Sequence, residues 1–238
     1  MSARREEIVE NARECIRREA RALAHLAETI DDDFADVVAE VSACSGKVVT
    51  TGAGTSGIMA ERLAHLLAVA GTPAFYLPSQ DALHGGMGAV TPGDYVIAFS
   101  KGGRSAELTQ LVSRLVERGV AVTAVTESPD SPFAEAATRT VVVTTDPAEA
   151  DLGGLIATGS TLVAGAWGDA LTGTLMALSG FSWEEVVRIH PAGIVGEQSD
   201  LPEAMSLDGG APGAPGAPES AGGAPGAPGS AAGAGAER

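Results

Sequence analysis

Three short segments of the sequence carry residue types able to hold a small anion or move a proton. Gly52-Ala53-Gly54-Thr55-Ser56-Gly57 joins an apolar run to a stretch of helical spacing. Backbone amides and the dipole of a helix start favour an anion at such a turn. Ser100-Lys101-Gly102-Gly103-Arg104-Ser105-Ala106-Glu107 stands in the same relation to a later strand and helix, adding hydroxyls and two cations. Leu83-His84-Gly85-Gly86-Met87-Gly88 leaves His84 without a helical face to hide in, which favours a ligand-facing role. Each segment also has a plainer reading. A Gly-rich turn can be a tight connection with no ligand, Lys101 and Arg104 can be solvated loop cations, and Glu107 suits a helix N-terminus through the dipole alone.

Proton-transfer chemistry needs a carboxylate or an imidazole held in a loop. Glu149 precedes Asp151-Leu152-Gly153-Gly154, and His190 opens His190-Pro191-Ala192-Gly193. His25 and His65 fall inside helical patterns, where packing roles are commoner, and are set aside. The first segment has the form G-x-G-x-x-G, but the following strand ends Phe75-Tyr76-Leu77-Pro78, without the acidic residue that binds a dinucleotide ribose.

These segments need elements to position them. Strands are expected at 47–51, 73–77, 94–99, 120–125 and 140–144, with helices at 58–70 and 107–117 among the connections. Strands alternating with helices predict a doubly wound parallel sheet of five strands, an α/β fold. Right-handed crossovers then bring both anion loops to the C-terminal edge of the strands, where they can converge at a topological switch point. Ahead of the sheet, residues 4–29 and 33–42 read as helices, the first amphipathic and suited to a partner subunit. A helix over 160–179 and a short one from Ser182 follow, the latter with the capping-box pattern Ser182-Trp183-Glu184-Glu185. The division expected is N-terminal helices over 1–45, the sheet domain over 46–200 and a disordered Gly/Ala/Pro tail over 201–238. The tail's Gly210-Ala211-Pro212-Gly213 register breaks too soon for a collagen helix.

The 238 residues are 45% hydrophobic but only 4% aromatic, so the core must be built from Ala, Val and Leu, as in helix-covered parallel sheets. With 31 acidic against 15 basic residues the net charge is -16, which opposes nucleic acid and anionic membranes as partners. An anionic ligand has to be captured locally, and a small phosphate ester fits. Cys15 and Cys44 lack metal or disulfide spacing and read as buried thiols. The charged N-terminus and the absence of a long apolar run point to the cytoplasm.

Together the motifs resemble the arabinose-5-phosphate isomerase group of SIS (sugar isomerase) proteins over residues 11–198. The series Ala82-Leu83-His84-Gly85, Pro92-Gly93-Asp94, Ser160-Thr161, Gly168-Asp169-Ala170-Leu171 and His190-Pro191-Ala192-Gly193 carries the resemblance. It implies a flavodoxin-like SIS fold, a homotetramer, and a site at a subunit interface that takes a phosphosugar. On that resemblance Ser56, Ser100 and Ser105 bind phosphate, with Gly54, Thr55, His84, Lys101 and Arg104 around the substrate. Glu107, Glu149 and His190, the last from a neighbouring subunit, correspond to the proton-transfer groups. No cofactor or metal is implied. Two departures touch the ligand. Thr55 stands where the family has lysine, and the family pattern S-x-S-G-E-T reads Ser100-Lys101-Gly102-Gly103-Arg104-Ser105. The group's paired CBS modules are not expected, as in 6-phospho-3-hexuloisomerases, so regulation through them is not expected either.

The implied reaction is aldose-ketose isomerisation through an enediol, with Glu107 or Glu149 moving the carbon-bound proton, His190 opening the ring and His84 bonding a hydroxyl. The alternatives are a 6-phospho-3-hexuloisomerase-like enzyme and, in another class, a non-catalytic phosphosugar sensor, which needs the phosphate loops but not acid-base groups.

Overall fold

The computed structural model describes residues 2–207. In chain order the elements are α1 (Ser2–Thr29), α2 (Asp32–Ala43), β1 (Val48–Gly52), α3 (Thr55–Val69), β2 (Ala74–Tyr76), α4 (Ser79–Leu83), β3 (Tyr95–Phe99), α5 (Ala106–Glu117), β4 (Ala121–Thr126), α6 (Pro132–Ala136), β5 (Arg139–Val142), α7 (Gly159–Ser179) and α8 (Trp183–Arg188). The five strands are parallel in the order β2-β1-β3-β4-β5. This is the doubly wound arrangement expected, and its switch point lies between β1 and β3.

Strand alternation sorts the core into two layers. Val48, Ile97, Phe99, Val125 and Val141 face α2, α3 and α7, where Leu63, Leu67, Trp167 and Leu171 are buried. Val49, Val96, Ala98, Val122 and Ala124 face α5 and α6, with Leu108, Leu111, Leu115 and Phe133. Because both faces are covered, β1 and β3 are buried at every position, which is why they read as continuous apolar runs rather than alternating ones. The edge strands β2 and β5 are shorter than expected. Trp167 meets Phe34 and Phe99 edge-on at 6.0 Å, so the few aromatic residues concentrate where α2 and α7 close over the sheet.

Several buried polar groups in this core are paired with specific partners. Thr50 Oγ1 donates to the Ala60 carbonyl at 2.6 Å and fixes α3 on β1. Arg139 on β5 holds Glu40 of α2 at 2.7 Å, and Tyr95 Oη donates to the same carboxylate at 2.6 Å. At the N-terminal edge of the sheet the Asp94 side chain, 1% exposed, binds both β1 and its own turn. Its Oδ1 accepts from Lys47 N and Nζ, each at 3.0 Å, and its Oδ2 from Thr91 N at 2.7 Å and Thr91 Oγ1 at 2.9 Å. This accounts for Pro92-Gly93-Asp94 as a structural signature: it joins the starts of the two strands that flank the switch point.

The β3–α5 loop is fixed from the other side. Gly103 has φ +60°, and a Cβ there would lie 2.0 Å from Ser131 Oγ. Ser131 caps α6, accepting from Ala134 N at 3.3 Å.

Several local expectations change. The capping box at α8 is half formed: Ser182 Oγ accepts from Glu185 N at 3.3 Å, while the Glu185 carboxylate turns to Arg188 at 3.1 Å. Neither cysteine is fully buried, and both are free thiols. Residues 201–207, assigned to the tail, pass over α8, where Trp183 Nε1 donates to the Glu203 carbonyl at 2.9 Å and Met205 packs against the Ala70, Met176 and Val186 cluster. The remainder of the tail, from residue 208, lies outside the described residues. No helix among the described residues is long and apolar enough to cross a membrane.

Both clamps can be tested by substitution. Burial alone would raise the Asp94 pKa, but the bonds from Thr91 and Lys47 more than offset it and lower it from 3.8 to about 2. A depressed carboxylate contributes stability that is present above its unfolded pKa and lost as pH falls through its folded one, here from about 4 to about 2 and worth about 2 kcal/mol. In urea melts Asp94→Asn is therefore less stable than the parent at pH 7, and the gap narrows across that window; a gap independent of pH would refute the assignment. Gly103→Ala is expected to cost about 1–3 kcal/mol through the positive φ and the Ser131 contact. Adding Ser131→Gly should recover part of that loss in thermal melts, since it removes the contact but not the backbone strain.

Candidate functional site

At the C-terminal ends of β1, β3 and β4 the chain forms a small cleft of about 40 Å³, floored by Phe99, Val125 and Val143. A larger groove of about 700 Å³ lies at the opposite edge of the sheet and is lined chiefly by residues such as Val38, Val41 and Leu175. Size does not decide between them. Ligands of open parallel sheets bind beyond the strands' C-terminal ends at the switch point, and of these two only the small cleft lies there and combines hydroxyls with charged groups.

The G-x-G-x-x-G turn builds one wall. A Cβ on Gly52 would come within 2.9 Å of Gly57 N, and one on Gly57 within 3.0 Å of the Gly52 carbonyl, so both positions let β1 and the first turn of α3 approach each other. Gly54, φ +60°, is the N-cap position of α3 and makes no side-chain cap bond. The first-turn amides of a helix have no partner within it. Thr55, Ser56 and Met59 then line the cleft.

The β3–α5 loop supplies Ser100 and Lys101 to the same cleft. Lys101 is tied down more firmly than a solvated loop cation would be. Its Nζ lies 2.5 Å from Asp151 Oδ2 and 3.7 Å from Glu127 Oε2, and 39% of its side chain stays exposed. Asp151, 3% exposed in its side chain, also accepts from Ser160 N and Ser160 Oγ, each at 2.8 Å. One carboxylate thus holds Lys101 and caps the start of α7. Burial alone would raise the Asp151 pKa, and the bonds from Lys101 and Ser160 lower it overall.

The structure separates the remaining expected residues. Arg104 turns away from Lys101 into a neighbouring depression with Gly102, Ser128 and Asp130. Ser105 is the N-cap residue of α5, outside the cleft lining, and Glu107 is exposed in the first turn of that helix. His84 is the C-cap of α4 and does not line the cleft. Glu149 is exposed in the short 3-10 turn Ala148–Ala150, two residues ahead of Asp151.

His190 follows α8, which packs on Ala70 and Met176 at the far ends of α3 and α7. Those helices start at the cleft, which puts His190 roughly 20 Å from it within one chain at about 1.5 Å per residue. Its Nδ1 lies 2.7 Å from the Val186 carbonyl. Of the expected site residues, Thr55, Ser56, Ser100 and Lys101 come together in the cleft, and Gly54, Glu107, Glu149, His190, His84, Arg104 and Ser105 do not line it.

Glu127, Thr126, Ser160 and Thr161 line the cleft as well and were not singled out as site residues from the sequence. A signal for Glu127 existed, since it stands just past the fourth apolar run, at the strand end where parallel sheets place functional side chains.

Comparison with known proteins identifies the family. The SIS domain model matches residues 43–172. Arabinose 5-phosphate isomerase GutQ of Escherichia coli CFT073 is 35% identical over 191 residues, covering 80% of this chain and 59% of that protein. Arabinose 5-phosphate isomerase KdsD of Escherichia coli K12 is 36% identical over 180 residues, covering 76% of this chain and 55% of that protein. The chain therefore spans less than three-fifths of the length of these curated relatives. Among solved structures, the c3406 protein of Escherichia coli CFT073, determined as a ligand complex, superposes with a TM-score of 0.75 at 30% identity, covering 78% of this chain and 98% of that one. The domain match and these identities show that this chain belongs to the SIS domain family.

Proposed function

We propose that this chain is a phosphosugar aldose-ketose isomerase, with arabinose 5-phosphate as the first substrate to test, working in the cytoplasm as a homotetramer. The observation that carries the reading is the convergence of Ser56, Ser100 and the start of α3 on one cleft at the β1/β3 switch point. Hydroxyls and helix-start amides suit a phosphate dianion, and they explain how a chain of net charge -16 can capture an anion. The resemblance to GutQ and KdsD supports the reaction class. In this reading the phosphate occupies the cleft and the sugar chain extends over its rim toward Lys101.

His190 enters the site from a second copy, because its own cleft is out of reach. Ile8 and Ile16, 61% and 64% exposed on α1, offer an apolar face for such an assembly. A specific observation favours a sensor as the second reading: Thr55 replaces the lysine that the family pattern expects, and Glu107, Glu149 and His190 lie outside the cleft.

The test is a panel of arabinose 5-phosphate, ribulose 5-phosphate, a hexulose 6-phosphate and fructose 6-phosphate in deuterated buffer, followed by NMR. Deuterium entering next to the carbonyl carbon of any member is the expected outcome and identifies the substrate. Calorimetric binding without exchange across the panel would replace the isomerase with the sensor.

A further inference from the structure

The groove of about 700 Å³ at the N-terminal edge of the sheet takes no part in the switch-point site, and the described residues leave it open. Its walls come from α2 and from the end of α7, with Val38, Val41 and Leu175 buried at its base and Leu178 half exposed on its rim. We propose that the chain covers this groove with its own residues 211–218, Ala211-Pro212-Gly213-Ala214-Pro215-Gly216-Ala217-Pro218, laid against Val38, Leu175 and Leu178.

The described chain leads to the rim of the groove. Met205 packs on the cluster of Ala70, Met176 and Val186, which Phe181 also joins. Gly71 and Leu175, the sequence neighbours of Ala70 and Met176, line the groove. Gly71 marks the junction, because a Cβ there would lie 2.4 Å from the Phe181 ring. The six residues from Met205 to Ala211 span up to about 20 Å when extended, ample to enter an opening that begins next to the anchor. Leu207, two residues past Met205, is 61% exposed and offers a first apolar contact on the way.

Groove and segment also match in chemistry. No residue lining the groove carries a charge at neutral pH, and neither does any of residues 211–218, whereas Asp208 and Glu219 bound that stretch on either side. The run between those two acids can therefore leave water without burying a charge. Its side chains are small, so it needs no shaped pockets, and each Pro has less conformational freedom to lose on ordering. The groove lies where α2 and α7 end, and their last carbonyls lack partners within the helices. The amides of Gly213, Ala214, Gly216 and Ala217 are donors of the kind those carbonyls accept.

A weak contact is enough. A short tether gives the segment an effective concentration in the millimolar range, so a contact with a Kd of about 1 mM is mostly formed within one chain. A second copy at micromolar concentration lacks that advantage.

The experiment follows maleimide labelling of Cys44, which lines the groove, in the full chain carrying Cys15→Ser. Labelling is expected to be about 3–10-fold faster in Ala214→Asp/Ala217→Asp, and in a chain truncated after Leu207, than in the parent, the factor by which a millimolar tether protects a millimolar contact. A synthetic peptide of residues 208–220, added at millimolar concentration, should slow the truncated chain again. Cys44 Sγ also lies 3.3 Å from the Gly93 carbonyl, so Ser42→Cys, with both native cysteines replaced by Ser, provides a second thiol in the groove. Equal rates in the parent, the double variant and the truncated chain at both thiols would overturn the proposal. So would protection that persists without residues 208–238 and is lost on dilution, which would assign the groove to a second copy.

Discussion

The pairing of β1 with β3 is the constraint on which the rest depends. These two strands are adjacent in the sheet but not in sequence, and the chain departs from them in opposite directions, β1 toward β2 and β3 toward β4. A gap therefore opens between their departing loops, and no helix can fill it. The Asp94 clamp joins the starts of the strands, at the edge away from the gap, so register is set at one edge and used at the other. Thr50, bonded to the Ala60 carbonyl, fixes the height of α3 above the same strand and hence where its first amides point.

Electrostatics at the cleft are local by necessity. A surface with twice as many acids as bases repels an approaching phosphate ester, and salt screening confines attraction to groups within about 10 Å. In the proposed reading the chain meets this with uncharged donors, Ser56 and Ser100 and the start of α3, beside Lys101, which is paired with Asp151 and Glu127. Arg104, the neighbouring cation in sequence, points elsewhere, because Gly102 and Gly103 turn the backbone between the two and Gly103 packs on Ser131.

Much of this was legible in the sequence. β1 and β3 announced themselves as apolar runs followed by glycine or serine, and the α7 and α8 boundaries followed their caps. The edge elements were harder. β2 and β5 have few inward residues, and α4 and α6, five residues each, are too short to show a helical period. At the site, residues within glycine-rich motifs were found because those motifs report on backbone shape. Glu127 escaped because it sits in no motif, and its place in the cleft depends on Thr145, 18 positions away in a different loop. Arg104 was grouped with Lys101 by proximity along the chain, which the turn at Gly103 undoes.

Asp151 is more than a structural ion-pair partner. It presents a negative charge to the same Lys101 ammonium, and to the same kind of helix-start amide, that a ligand anion would seek. It keeps the cation and the first turn of α7 oriented, and it sets a threshold, because an incoming anion gains from Lys101 only what exceeds the contact already made. In the proposed phosphosugar reading, that competition favours a doubly charged group over a singly charged one.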